Sequence, residues 1–133
     1  MEDWKIKVSV LWLFIDIAYI ADVILGIIEP GGLQQFLSTG QIGGMTMGPE
    51  ILFVLAIALL VPLVMAFLSL VLKNLANRWA NIIVGLVYVV LWILALITTV
   101  EQHLVAYSIL ITFSKLVASA VIVWYAWKSK QKT

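Results

Sequence analysis

The stretch ILFVLAIALLVPLVMAFLSLVL, residues 51–72, decides the fold class, because it is a long apolar run without a single charged side chain. A helix needs about 20 mostly apolar residues to cross the roughly 30 Å hydrocarbon core of a bilayer, and this run is long enough. Its apolar residues are continuous rather than alternating, which argues against a strand of a membrane barrel. The stretch therefore predicts a transmembrane helix.

Three more runs of the same kind lie at residues 8–28, 80–100 and 104–127. Of the 133 residues, 64% are hydrophobic and 11% are charged, against roughly 45–50% and 25% in a soluble domain. This composition excludes a soluble globular domain, a disordered chain and a nucleic-acid-binding protein. The sequence predicts an all-α membrane protein with a single transmembrane domain, an antiparallel bundle of four transmembrane helices.

A cleaved signal peptide is the alternative for the first run, because Lys5 and Lys7 precede it. The run is longer than the roughly 7–15 apolar residues of a signal peptide, and it contains Asp16 and Asp22. No small-residue cleavage motif follows it. We therefore expect the first run to be retained as span 1.

Basic residues mark one side of the predicted bundle. They precede span 1, lie between spans 2 and 3, and follow span 4, whereas the other two connections contain no Lys or Arg. The residues concerned are Lys5, Lys7, Lys73, Arg78, Lys128, Lys130 and Lys132. By the positive-inside rule, we expect a multi-pass protein of the cytoplasmic membrane with both termini in the cytoplasm.

The connections between the spans differ in length. The long one, 29–50, is predicted to lie outside, and the helical spacing of Leu33, Phe36 and Leu37 indicates one or two helical turns on the outer surface. Its glycine-rich remainder is expected to be mobile. The polar loop 73–79 and a shorter turn before span 4 predict that spans 2, 3 and 4 are consecutive antiparallel neighbours.

Three charged residues lie inside the predicted spans, namely Asp16, Asp22 and Lys115. A charge at the bilayer centre costs at least about 2.5–3.5 kcal/mol, so each needs a partner or a function. Helix rise places Asp16 about 16 Å, Lys115 about 20 Å and Asp22 about 25 Å from the inner end of its span. This order of depth predicts that span 1 packs on span 4 and that Lys115 pairs with Asp16, Asp22 or both.

Polar and aromatic side chains share helix faces with these charges. At about 100° per residue, one stripe on span 4 contains Lys115 and several hydroxyl groups, and one stripe on span 3 contains Tyr88 and Trp92. The predicted polar centre comprises Tyr19, Tyr88, Trp92, Ser108, Thr112 and Ser119. Pro62 should kink span 2 and leave the carbonyl of Ala58 available for a polar contact.

Two interpretations of the buried charges remain open. An aspartate that Lys115 does not neutralise is typical of a proton-coupled carrier. The protein would then be a small carrier or channel for an ion or small solute, with Asp16 and Lys115 as the coupling pair and Asp22 as an outward proton or cation site. Alternatively, it is a non-enzymatic scaffold or accessory subunit whose ion pair only fixes helix packing. Since four helices enclose little space, transport also predicts a homodimer or larger homo-oligomer.

No catalytic, metal or cofactor site is predicted. The chain has no cysteine and one histidine, His103, which excludes thiolate chemistry and bis-histidine haem. A metal site of Glu101 and His103 with Glu29 or Glu50 is the alternative to an exposed turn. A nucleophile, a base and metal ligands do not converge, so we expect no enzyme and no cofactor. The expected partners are the lipid bilayer, a second copy and a small ion or solute, with no nucleic acid.

Residues 77–83, NRWANII, residues 124–128, WYAWK, and the acid in span 1 resemble a family of small prokaryotic four-span membrane proteins classed as a domain of unknown function. The resemblance extends over nearly the whole chain and implies architecture and a prokaryotic inner membrane, but no chemistry. Asn77 and Asn81 are one helical turn apart at the cytoplasmic entry to span 3. They are predicted either to cap helix ends or to line a cytoplasmic mouth.

Overall fold

The computed structural model describes residues 3–28, 30–42, 45–101 and 106–129, and these contain five helices and one pair of very short strands. In chain order the elements are α1 Asp3–Ile28, α2 Gly32–Thr39, β1 Gln41–Ile42, β2 Met45–Thr46, α3 Pro49–Val71, α4 Asn74–Glu101 and α5 Ala106–Lys128. Four of the helices are long and apolar enough to cross a membrane. The predicted all-α bundle of four long apolar helices is therefore confirmed.

The bundle carries apolar side chains outside and polar ones inside. Ile17 is 67% exposed and Phe53 is 68% exposed, whereas Asp16 is 3% exposed and Lys115 is 2% exposed. In water this arrangement would be unfavourable, because exposed apolar area and buried charge both cost free energy. It is the pattern expected where lipid surrounds the helices and polar groups gather between them.

Packing between the helices is uneven. α1 packs against both α3 and α5, and α4 packs against α5, while α3 approaches α4 at few points. The predicted contact of span 1 with span 4 is confirmed as the α1–α5 contact. The predicted neighbours α3 and α4 are joined mainly by side-chain hydrogen bonds rather than by close backbone packing, because α1 lies against α3 instead.

The helices extend beyond the predicted spans, and the predicted loop 73–79 is wrong. α3 ends at Val71 and α4 begins at Asn74, so only Leu72 and Lys73 connect them. Residues 74–79 form the first turns of α4 instead of a loop. An apolar run indicates which residues lie in the hydrocarbon core of the membrane. The helix can extend beyond these residues, because it ends only where its backbone hydrogen bonds end.

The connection between α1 and α3 contains more structure than a mobile loop. The predicted helical turns are confirmed as α2. Gly40 ends α2 in the left-handed region at φ 71°, and its N–H donates to the carbonyl of Phe36 at 2.8 Å. The expected mobile remainder includes a pairing of Gln41 with Thr46 in the antiparallel β1–β2 pair.

The tightly packed core occupies one half of the bundle. We call this the terminal half, residues 3–16, 62–71, 74–88 and 112–129. Its buried apolar side chains are Trp4, Val8, Trp12, Ile15, Met65, Ala66, Ile82, Tyr88, Ala118, Ile122 and Ala126. Within it α4 and α5 approach closely at Gly85, where an added Cβ would lie 2.7 Å from Cγ2 of Val123. This agrees with the close-packing role expected of a glycine in a membrane helix.

The other half of the bundle is loosely packed. We call this the loop half, residues 17–28, 49–61, 89–98 and 107–111. No residue described in these four segments is fully buried. Beside Tyr19, a groove of about 250 Å³ lies between α1 and α3. It is lined by Tyr19, Ile20, Val23, Ile24, Leu52, Leu55, Ala56 and Leu59. The junction between the tight and loose halves is the level at which the charged residues lie.

Candidate functional site

Lys115 lies inside the bundle and faces Asp22 across the α1–α5 contact. The distance from Nζ of Lys115 to Oδ2 of Asp22 is 3.7 Å, with the two side chains 3% and 24% exposed. Asp16, the other aspartate of α1, forms no ion pair with Lys115. The structure thus pairs the ammonium with Asp22, whereas the transport interpretation assigned the coupling pair to Asp16.

The direction of side chains on a helix explains this choice of partner. Side chains of an α-helix tilt toward the N-terminus of their own helix. Because α5 begins in the loop half, Lys115 extends toward that half, where Asp22 lies. Because α1 begins in the terminal half, Asp22 leans toward Lys115 and Asp16 leans away from it. The depth of the Cα atoms alone does not distinguish the two aspartates.

Two aromatic rings complete the surroundings of the ammonium. Nζ of Lys115 is 4.1 Å from the ring centroid of Trp92 and 5.3 Å from that of Tyr19. Both distances are within the range of cation–π attraction, and tryptophan gives the strongest such contact. One carboxylate and two ring faces from α1 and α4 therefore hold the cation of α5.

Asp16 is buried without a partner. The residue is 3% exposed, and its Oδ1 accepts no hydrogen bond from the residues that the structure describes. The Tyr19 hydroxyl and the Nε1–H of Trp92 are also buried, and neither has a hydrogen-bond partner among the described residues. Buried polar groups in proteins are hydrogen-bonded in the large majority. Tyr19 and Trp92 contact Lys115, and Asp16 is one helical turn from Tyr19, so the three unsatisfied atoms lie in one part of the interior.

An aromatic column runs through the interior past these atoms. The ring centroids of Trp12 and Tyr88 are 5.5 Å apart, those of Tyr88 and Trp92 are 5.9 Å apart, and those of Tyr19 and Trp92 are 6.3 Å apart. The first two pairs meet edge to face, which is a favoured geometry for aromatic side chains. The column links the terminal half to the charged level.

Tyr88 also ties α4 to α3 near Pro62. Its hydroxyl donates to the carbonyl of Ala58 at 3.0 Å. Pro62 has no N–H to donate to the carbonyl four residues earlier, so this oxygen lacks its usual helix partner. The predicted availability of the Ala58 carbonyl is confirmed, and Tyr88 supplies the donor.

Replacing Tyr88 by phenylalanine is therefore expected to lower the free energy of unfolding by about 1 kcal/mol in detergent micelles, because it orphans the Ala58 carbonyl. In a Pro62→Ala background the loss should be smaller, since alanine restores an N–H at this position. Denaturant titration followed by tryptophan fluorescence measures both values. An equal loss in the two backgrounds would contradict this explanation of the bond.

Asn77 and Asn81 form a closed network in the terminal half. Nε1 of Trp12 donates to Oδ1 of Asn81 at 2.7 Å, and Ser69 Oγ donates to the same oxygen at 3.2 Å. Nδ2 of Asn81 donates to Oδ1 of Asn77 at 2.6 Å and to its carbonyl at 2.9 Å. Trp12 and Ser69 were not among the predicted site residues, although both lie on the helix faces that the periodicity selects.

Asn77 caps the end of α3. Its Nδ2 donates to the carbonyl of Ser69 at 2.7 Å and to that of Leu72 at 3.4 Å, which are groups that a helix C-terminus leaves unsatisfied. This agrees with the predicted capping role. The alternative, a cytoplasmic mouth, stays a prediction, and in this structure both asparagines are fully buried.

The three predicted hydroxyl residues of α5 take different positions. Thr112 is buried near Lys115 on the same helix face. Ser119 is buried, but its Oγ donates to the carbonyl of Lys115 at 2.9 Å and so serves its own helix. Ser108 is half-buried, and no hydrogen bond joins it to the described residues of the centre.

The alternative metal site cannot be placed, because Glu29 and His103 lie outside the described residues and the Glu101 side chain is not described. Within the described part of the chain, no three His, Cys, Asp or Glu side chains come together as metal ligands. The candidate site of this protein is therefore the centre formed by Asp16, Tyr19, Asp22, Trp92 and Lys115.

Comparison with known proteins gives one match. The model of a family described as a family of unknown function, DUF6326, matches residues 1–133. No curated protein and no solved structure matches the chain. The resemblance carried by NRWANII to a family of unknown function is confirmed, and the match brings no activity with it.

Proposed function

We propose that this chain, which belongs to the DUF6326 family of unknown function, is a small membrane carrier or channel for an ion or small solute. The observation that carries the proposal is a group of three buried polar atoms without partners among the described residues. Two belong to Tyr19 and Trp92, whose rings contact Lys115, and the third belongs to Asp16, one helical turn from Tyr19. A merely structural core would be expected to satisfy these atoms or to replace them with apolar groups.

The charges of the centre favour a proton or a small cation as the guest. Asp16 and Asp22 contribute two acids and Lys115 contributes one base, so one acid is left uncompensated. Because Asp22 is the acid within 3.7 Å of the ammonium, Asp16 is the unpaired one. Acids inside membrane segments are used as proton and cation sites. We assign this role to Asp16, and the holding of Lys115 to Asp22.

The packing of the two halves supports access from the loop half. The Asp22 side chain retains 24% exposure, and none of the residues described in the four segments of the loop half is fully buried. On the other side, Trp12 and Asn81 close the terminal half with a hydrogen bond of 2.7 Å. With the termini in the cytoplasm of a prokaryotic cell, as the basic residues favour, the centre opens to the outside.

The loose contact between α3 and α4 also supports a homo-oligomer. Because α3 and α4 contact each other at few points, the wall of a pathway between them is incomplete. A second copy of the chain in the same bilayer would complete that wall, and symmetric dimers are the commonest assemblies of identical chains. We propose a homodimer or a larger homo-oligomer in the inner membrane.

Asp16→Asn tests the proposal in reconstituted vesicles. We expect wild-type vesicles loaded with a pH-sensitive dye to exchange protons after a pH step or after a sodium or potassium gradient is applied. The proton flux of the variant should be at least about tenfold lower. Glu50→Gln is the matched control, because Glu50 is an exposed acid at the start of α3.

Three outcomes decide the test. Loss of flux in Asp16→Asn, with normal circular dichroism and normal flux in Glu50→Gln, supports the carrier. Wild-type vesicles that exchange no more protons, sodium or potassium than protein-free vesicles contradict it. Flux that is equal in wild type and Asp16→Asn removes Asp16 from the mechanism.

The second candidate is a non-enzymatic membrane scaffold or accessory subunit. It is favoured by the Trp12–Asn81–Asn77 network, whose polar side chains hydrogen-bond one another within the protein, as in a contact that only stabilises the fold. In that case the ion pair of Lys115 would only join α5 to α1. A folded Asp16→Asn variant without any phenotype in vesicles or cells would favour this candidate.

A further inference from the structure

Arg78 is a buried cation that the centre described above does not use. It lies in the second turn of α4 and is 6% exposed. Its guanidinium carbon is 5.0 Å from the ring centroid of Trp79 and 5.3 Å from that of Trp127. Two tryptophan rings from α4 and α5 thus hold a permanent positive charge at the end of the bundle that contains the chain termini.

The Nε donor of Arg78 has no partner among the residues that the structure describes. A guanidinium has five N–H groups and no acceptor, and it is always charged. Nε of Arg78 is buried without a hydrogen-bond partner, and no carboxylate among the described residues forms an ion pair with it. Contacts with tryptophan rings engage the charge but satisfy no N–H group. Nε of Arg78 is therefore available to donate a hydrogen bond to an anion.

The surroundings of Arg78 are strongly positive. Nζ of Lys5 donates to the carbonyl of Leu72 at 3.3 Å, beside the turn that leads into α4. Lys73 is exposed in that turn, and the N-terminus of α4 adds the positive end of a helix dipole. Asp3 is the carboxylate described at this end of the bundle. An anion that approaches Arg78 meets attraction from several groups at once.

We propose that Arg78 binds the phosphate of an anionic phospholipid headgroup. The guanidinium fork matches a phosphate oxygen pair, and tryptophan rings lie at the depth of headgroups in membrane proteins. Apolar side chains beside the site face outward, with Leu75 65%, Trp79 45% and Trp127 57% exposed. This apolar border fits acyl chains and favours a lipid over free phosphate. The site is independent of the proposed transport function.

Native mass spectrometry of the purified chain in detergent tests this site. We expect phosphatidylglycerol to bind at about tenfold lower concentration than phosphatidylcholine with the same acyl chains. Both headgroups contain the phosphate, but phosphatidylglycerol has a net negative charge, whereas the positive choline group of phosphatidylcholine is repelled by the cations at this end of the bundle. Arg78→Gln should remove this preference. Lys128→Gln is the matched control, because it removes an exposed cation whose Nζ lies 4.7 Å from the Trp124 ring at the same end. It should keep the preference.

Arg78→Lys keeps the test decisive if Arg78→Gln does not fold. Lysine retains the charge but cannot offer two parallel N–H groups, so we expect it to bind phosphatidylglycerol at least about threefold more weakly than the wild type. Equal binding by wild type and Arg78→Lys, or an equal loss in Lys128→Gln, would overturn the site. Displacement of the lipid by millimolar inorganic phosphate would also overturn it, since the ligand would then be free phosphate.

Discussion

Lys115→Met is expected to lower the free energy of unfolding by about 3 kcal/mol, which is the low end of the range for removing one partner of a buried ion pair. The low end applies because Asp22 keeps 24% of its side chain exposed and retains some hydration. The variant leaves both Asp16 and Asp22 without a compensating cation. Asp22→Asn should cost less, since Lys115 keeps the faces of Trp92 and Tyr19.

The double variant Asp22→Asn/Lys115→Met is expected to recover most of the stability that Lys115→Met loses, because both partners of the pair are gone. Lys128→Met is the matched control. Its ammonium also lies over a tryptophan ring but is exposed, so the change should cost less than about 1 kcal/mol. Denaturant titration in micelles measures all four values. A double variant as unstable as Lys115→Met would show that the pair with Asp22 does not hold the ammonium.

Asn81→Leu is expected to lower the free energy of unfolding by about 3 kcal/mol, because it leaves several buried polar groups unsatisfied at once. Asn81 accepts from Trp12 and Ser69 and donates to Asn77. Leucine has the same number and branching of heavy atoms but makes none of these bonds. The loss should appear in thermal melts followed by circular dichroism and in denaturant titrations.

Two further variants distinguish the stability that the hydrogen-bond network contributes from the stability that a single buried polar group contributes. In Trp12→Phe/Asn81→Leu the orphaned indole N–H is removed as well, so about 1 kcal/mol should be recovered relative to Asn81→Leu. Ser119→Ala removes a fully buried hydroxyl with one local bond to the Lys115 carbonyl and should cost about 1 kcal/mol or less. If Ser119→Ala and Asn81→Leu cost the same, the network adds nothing beyond a single buried polar group.

The contrast between the two halves also bears on transport. A carrier has to open alternately to either side of the membrane, and the terminal half of this structure is closed by Trp12, Asn81 and Asn77. If the protein is a carrier, these hydrogen bonds are the ones that separate when the centre faces the terminal half. Asn81 then acts as part of a gate, so that its hydrogen bonds in this structure and its predicted place in a cytoplasmic mouth are successive states of one residue.

Arg78 and Lys115 lie at different depths in the bundle, and this depth determines what can neutralise each cation. Arg78 stays at the end of the bundle, where water and headgroups supply anions, and needs no acid from the protein. Lys115 lies in the interior, where the protein itself has to supply the counter-charge and the ring faces. The depth of each cation therefore accounts for the source of its counter-charge.

Most of the architecture was determined by the sequence. Four long, mostly apolar runs predict helices, because a helix satisfies its own backbone groups in lipid. The position of Pro62 predicted that the Ala58 carbonyl would be free for a contact, which Tyr88 makes. The spacing of Leu33, Phe36 and Leu37 was enough to predict α2. The error at 73–79 arose because apolar content measures depth in the membrane rather than helix length.

Only the tertiary structure decided which partners meet. Periodicity places a residue on a helix face, but the rotation and separation of the helices determine what that face contacts, as for Asn81 with Trp12 and for Arg78 between two tryptophans. The pairing of Lys115 with Asp22 rather than Asp16 was determined partly by the sequence and partly by the tertiary structure. The N-terminal tilt of helical side chains favours it from sequence, and the packing of α5 against α1 brings the charges within 3.7 Å.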